Sequence, residues 1–166
     1  RFEYFGGLTL DDSVPAPVDV LGYHIGEHFT RAADMVDYMQ QLAESSKRVA
    51  VQRYGQTHQR RPLMTLTITS ESNHQNLNQI LRDNRALADP SLTNTSRIEQ
   101  IIDSNPAVVW FSYNVHGNEP SPMETAMQVA YTMAAAQNDE VQEILDKVVL
   151  VIDPLLNPDG HERYVN

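Results

Sequence analysis

Two apolar runs, Ala107-Val108-Val109-Trp110-Phe111 and Val148-Val149-Leu150-Val151-Ile152, limit the folds open to this chain more than any other feature. A strand that is apolar on successive residues, rather than on alternate ones, needs cover on both faces. Helical sequence lies between the two runs. Ser121 and Glu124 stand at capping-box spacing with Pro122 at the first helical position, and Met123, Met127, Ala130 and Ala134 share one face. A shorter helix is predicted over about Glu140 to Lys147. Strand, helix and strand in that order predict a parallel βαβ crossover, with the strand from Val108 to Asn114 central.

The preceding sequence supplies the rest of one α/β domain. Residues 1–27, with Gly6-Gly7, Asp11-Asp12, Pro15 and Pro17, read as an irregular lead-in. Thr30 is suited to cap a helix carrying Met35, Val36, Met39, Leu42 and Ala43 at helical spacing. Arg48 to Tyr54 and Leu63 to Thr69 read as an antiparallel strand pair joined by a long turn over Gly55 to Pro62. Helices are predicted from about Asn76 to Leu87 and from about Ser96 to Asp103. Residues 1–166 thus read as a single α/β domain of about four strands, long enough to bury a continuous core.

Composition removes several function classes. Asp and Glu total 22 against 12 Lys and Arg, a formal charge of −10, and no basic stripe interrupts the excess. Nucleic acid is not an expected partner, because phosphate binding begins with clustered Lys and Arg. The chain has no cysteine, so disulfides and thiolate metal sites are excluded. No apolar run approaches the roughly 18 residues needed to span a bilayer. The sequence opens at Arg1 with neither Met nor a signal-peptide core, and is expected to be a processed or cut form.

The chemistry-bearing residues sit just after the two apolar runs. His116-Gly117-Asn118-Glu119 follows the first, and Asn157-Pro158-Asp159-Gly160 follows the second. A parallel crossover brings both tetrapeptides to the carboxyl edge of one sheet, where open α/β sheets bind ligands. An imidazole nitrogen and a carboxylate oxygen are ligands that zinc takes at about 2.0–2.2 Å. The plainer alternatives are a His116 bonded to a carbonyl, a Glu119 that favours a helix N-terminus, and an ordinary turn at Asn157 to Gly160. His24-Ile25-Gly26-Glu27-His28 matches an inverted zinc motif, but Gly22 and Gly26 oppose the helix it requires. It is expected to be a loop. Asn94-Thr95-Ser96 matches a glycosylation acceptor, which carries no meaning if the source is bacterial.

In combination, these residues resemble the zinc carboxypeptidase family, the relatives of carboxypeptidases A and B. The family carries His-x-x-Glu after one central strand and Asn-Pro-Asp-Gly after the next. Tyr54-Gly55-Gln56-Thr57-His58 with Arg61-Pro62-Leu63 is similar to the turn between its first two strands, with Arg60 where Gly is usual. Val20-Leu21-Gly22-Tyr23 to Glu27, and Asn157 through Arg163-Tyr164-Val165-Asn166, resemble a branch of large secreted bacterial peptidases.

The resemblance implies a three-layer α/β/α domain with a mixed sheet, the first half of a zinc-dependent exopeptidase-like fold. It implies His116 and Glu119 as two of three ligands to one catalytic Zn2+, a peptide or protein substrate, and a secreted or periplasmic location. The third ligand, the substrate-binding groups and the general-base Glu are expected beyond Asn166. His161 and Arg163 are poor substitutes, lying in or beside the Asn-Pro-Asp-Gly turn. A site so divided implies metal-dependent peptide hydrolysis by the intact protein and none by residues 1–166. The alternatives are a non-catalytic peptide-binding module on the same fold and a zinc deacylase of N-acyl amino acids. The exposed edge of the 108–114 strand is expected to promote self-association unless the chain was clipped from a longer folded protein.

Overall fold

The computed structural model describes residues 6–166. The first five residues of the lead-in fall outside the described part. Within the rest of it, Pro17–Leu21 forms a short helix, α1, begun by proline and ended by Gly22 in the left-handed region (φ 77°). Helix α2, Ala32–Ser45, buries Met35, Val36, Tyr38, Met39 and Leu42 along one face, as the apolar spacing predicts.

Strands β1 (Val49–Gln56) and β2 (Pro62–Ile68) pair antiparallel, with a register shift between Arg53 and Gly55. Helix α3 runs Glu71–Ala88, starting earlier than its apolar spacing predicts because Ser70 caps it, accepting from the Asn73 amide. After α4 (Thr95–Ser104) come β3 (Ala107–Ser112), α5 (Ser121–Ala135), α6 (Asp139–Lys147), β4 (Val148–Asp153) and α7 (Pro158–Val165). Asn94 caps α4 through its side-chain oxygen, which accepts from the Arg97 amide.

These strands form a four-stranded mixed sheet in the order β1-β2-β4-β3. β4 runs antiparallel to β2 and parallel to β3, so the predicted βαβ crossover is present. The main core lies between the sheet and the α2–α5 layer, where Met39, Leu42, Met123 and Met127 meet Leu66, Ile68, Leu150 and Ile152. Each of these side chains removed from water contributes about 1.5–3 kcal/mol. Side chains alternate across a strand, so Val149 faces the other way from Leu150 and Ile152. It is buried outside that core, as are Ile80 of α3 and Ile101 of α4, which form the third layer of an α/β/α domain.

Two local expectations are overturned. β3, read as the central strand, lies at the edge of the described sheet, which leaves open the edge expected for the 108–114 strand, but it is not covered on both faces: Trp110 is 59% exposed, Phe111 43% and Val108 39%. A continuous apolar run states a need for cover without naming the element that provides it. The second correction concerns caps. Helix α5 starts one residue before the predicted site, with Pro120 as N-cap, so Ser121 is already helical and makes no cap bond. Thr30 likewise does not cap α2; Arg31 occupies that position, and its side chain makes no capping bond.

Candidate metal centre at the strand ends

Both tetrapeptides lie at the carboxyl end of the parallel pair. The chain leaves β3 at Tyr113, whose amide bonds the Asp153 carbonyl at the end of β4. Asn114 then takes a left-handed conformation (φ 56°), which Asn tolerates better than most residues. Its buried carboxamide donates to the His116 carbonyl at 2.8 Å. The Glu119 amide closes back on the same carbonyl at 3.2 Å, so residues 116–119 form one tight turn. His116 and Glu119 stand at its two ends, both exposed. Among the described residues, neither side chain takes a hydrogen-bond or ion-pair partner.

Asn157-Pro158-Asp159-Gly160 is more than a turn. It caps α7 and forms its first turn, with the Asn157 side-chain oxygen accepting the Gly160 amide at 3.0 Å. The Asn157 amide nitrogen donates across to the Val115 carbonyl at 3.1 Å, one residue before His116. Gly117 seats directly on this helix turn: a Cβ there would lie 2.5 Å from Gly160 Cα and still closer to the Gly160 carbonyl carbon and the His161 nitrogen. Only glycine permits that approach. The two tetrapeptides form one packed unit.

Asp159 joins a third segment to it. Its carboxylate accepts from the Thr57 hydroxyl at 2.8 Å, the Arg61 guanidinium at 2.7 Å and the Gln59 amide at 3.1 Å, all in the β1–β2 turn. Burial opposes its ionisation, but these bonds together outweigh that and hold the Asp159 carboxyl below its ordinary range. The turn, Asn-Pro-Asp-Gly and His-x-x-Glu, recognised separately in the sequence, are therefore bonded to one another in space.

Beneath the site lie buried polar pairs whose partners no local pattern identifies. Glu124 does not complete a capping box; it accepts from the Thr30 amide at 2.9 Å and the Thr30 hydroxyl at 3.0 Å. Burial pushes its carboxyl above the usual range, against the lowering effect of the Thr30 bonds and of His161. His161 is in α7 rather than a turn, fully buried, and its Nε2 donates to the Thr30 carbonyl at 2.8 Å. Its Nδ1 has no hydrogen-bond partner among the described residues. At the end of β4, the Tyr54 hydroxyl donates to Asp153 at 2.6 Å, and burial raises the Asp153 carboxyl. The only advance sign of these pairs was a charged or polar residue inside an apolar pattern.

The set-aside residues are also located. His24 to His28 forms a loop closed by the Glu27 amide on the His24 carbonyl, with Gly26 at φ 88°, so its histidines do not share a helix face. Arg163 is exposed near the end of α7. Among the described residues, no three His, Cys, Asp or Glu side chains converge as a metal cluster. None of the described helices is long and apolar enough to cross a membrane.

What His116 and Glu119 offer fits part of a zinc site: one nitrogen and one carboxylate, unpaired, on a backbone fixed from behind. Comparison with solved structures bears on the fold around them. Thrombin activatable fibrinolysis inhibitor superposes with a TM-score of 0.55 at 12% identity, over 81% of this chain and 27% of that one. Carboxypeptidase A from Helicoverpa armigera superposes with a TM-score of 0.56 at 16% identity, over 83% and 28%. The chain thus spans little more than a quarter of the length of either structure. No curated protein matches the sequence. The zinc carboxypeptidase family model matches residues 35–166, which include the hairpin, the crossover and both tetrapeptides, and the chain belongs to that family.

Proposed function

We propose that His116 and Glu119 are two of the protein ligands of a catalytic zinc, and that the intact protein hydrolyses peptides in the manner of a metallocarboxypeptidase. The observation that carries this reading is the pair itself: two exposed side chains, unpartnered among the described residues, at the ends of one tight turn at the carboxyl edge of a parallel strand pair. A bound zinc supplies a polarised carbonyl and a water acidified toward a pKa of about 7. The part played by this chain is to present the ligands. Asn114 and Gly117 shape the backbone, and α7 supports it from below.

Residues 1–166 are proposed to be inactive alone. Support comes from the absence of a third converging ligand among the described residues and from the quarter-length match to solved carboxypeptidases. Two protein ligands hold zinc weakly. The same reading includes a peptide or protein substrate and secretion or a periplasmic location. It also includes pairing of the free β3 edge with a second copy when residues 1–166 are isolated, supported by the exposed Val108, Trp110 and Phe111.

The test is hydrolysis by the intact protein of an N-blocked peptide bearing a free carboxyl terminus, beside its C-amidated twin. Loss of the free-carboxylate reaction to background in H116A and E119A is expected. Wild-type rates in either variant would remove these residues from the site. Cleavage of N-acyl amino acids with none of the longer peptide would transfer the protein to the deacylase reading.

A further inference from the structure

The tethers on the His116–Glu119 turn converge on one side chain. The Asn157 carboxamide is used at both ends, its oxygen accepting from Gly160 within α7 and its nitrogen donating to Val115 in the other loop. Gly160 cannot carry a side chain without meeting that same carboxamide, since a Cβ would lie 2.6 Å from its Nδ2. Gly117 in turn lies flat on Gly160 and His161. Helix cap, glycine contact and loop tether thus form a single arrangement behind the turn. The side chains of His116 and Glu119 are left out of it.

We propose that Asn157 is a positioning residue for the His116–Glu119 turn, holding its backbone in one shape before any ion arrives. Its consequence for metal binding rests on the reading of His116 and Glu119 as ligands; the tether itself does not. Ligands held in place lose less freedom on binding, and residues that orient metal ligands typically govern affinity by 10–100-fold.

Asn157→Asp separates the tether from the cap. Aspartate keeps the acceptor for the Gly160 amide and suits a helix N-terminus, but it has no hydrogen to give Val115. Asn157→Ser makes the same separation with a neutral cap, should the charge against the Val115 carbonyl hinder folding. In the metal-free 166-residue chain, amide exchange by NMR should be at least tenfold faster at Glu119 in either variant. Exchange at His161 and the unfolding midpoint should stay near wild type. Zn2+ titration followed at the His116 ring should show at least tenfold weaker binding.

Glu119 exchange within twofold of wild type, with α7 intact, would overturn the proposal. So would equal loss of protection at Glu119 and throughout α7 in both variants, which would make Asn157 only a cap. If Zn2+ moves no His116 resonance in the wild-type chain, the ligand reading fails, while the exchange data still decide the role of Asn157.

Discussion

Glu162 and Ala32 are 130 residues apart, and the carboxylate of the first accepts the amide of the second at 2.7 Å. That amide belongs to the first turn of α2, whose own N-cap residue, Arg31, makes no capping bond. The other Glu162 oxygen takes the Arg31 guanidinium at 3.1 Å. A helix start is thus satisfied from the far end of the chain. Glu162→Ala leaves the Ala32 amide without this acceptor and should cost about 1.5–3 kcal/mol, the range for a charged hydrogen bond. Glu162→Gln keeps an acceptor and should cost about 1 kcal/mol or less. Urea unfolding of both variants reads the difference, and equal losses would contradict the cap assignment.

Glu124 carries a pH prediction. Its carboxyl is raised above 4.5 by burial, so the folded chain binds its proton more tightly than the unfolded chain. Its contribution to stability is complete below 4.5 and is lost as pH rises through the folded value. Glu124→Gln cannot titrate. Its stability relative to wild type should therefore increase as pH rises from 4.5, measured by urea unfolding at a series of pH values. A difference that stays flat or shrinks over that window counts against the buried, Thr30-bonded carboxylate.

Asp159 should behave in the opposite sense. Its carboxyl is held below 3.8, so its contribution is present above that value and fades as pH falls through the folded one. The advantage of wild type over Asp159→Asn should shrink on acidification below 3.8. A constant advantage would show that the bonds to Thr57 and Arg61 do not depend on charge.

Arg60 stands in the left-handed region at φ 63°, in the turn that Asp159 holds. An L-residue there costs about 1–2 kcal/mol, and the greater freedom of an unfolded glycine offsets part of any relief. Arg60→Gly should stabilise the chain by about 0.5–1 kcal/mol in thermal or urea unfolding. A loss of stability would mean that the Arg60 side chain makes a compensating contact.

The β3 edge gives a prediction about assembly. The isolated 166-residue chain should self-associate with rising concentration in light scattering, and Val108→Lys should reduce this, since charge on an edge opposes strand pairing. A wild-type chain that remains monomeric at high concentration would contradict it.

What could be read along the chain was whatever depends on near neighbours. The β1–β2 hairpin and the parallel crossover followed from alternating and continuous apolar runs, because burial imposes period on a strand or helix wherever it packs. The position of His116 and Glu119 at a strand end followed from the same pattern. Three decisions were left to the tertiary structure. Glu124 turned from its own helix to Thr30, Glu162 took over the start of α2, and Asp159 bonded the hairpin turn. Each pairs residues about a hundred positions apart, and one carboxylate has many possible partners until folding brings a particular amide or cation within 3 Å. β3 shows the limit from the other side. Its apolar run states how much cover the strand needs, and only the assembled sheet decides which element supplies it.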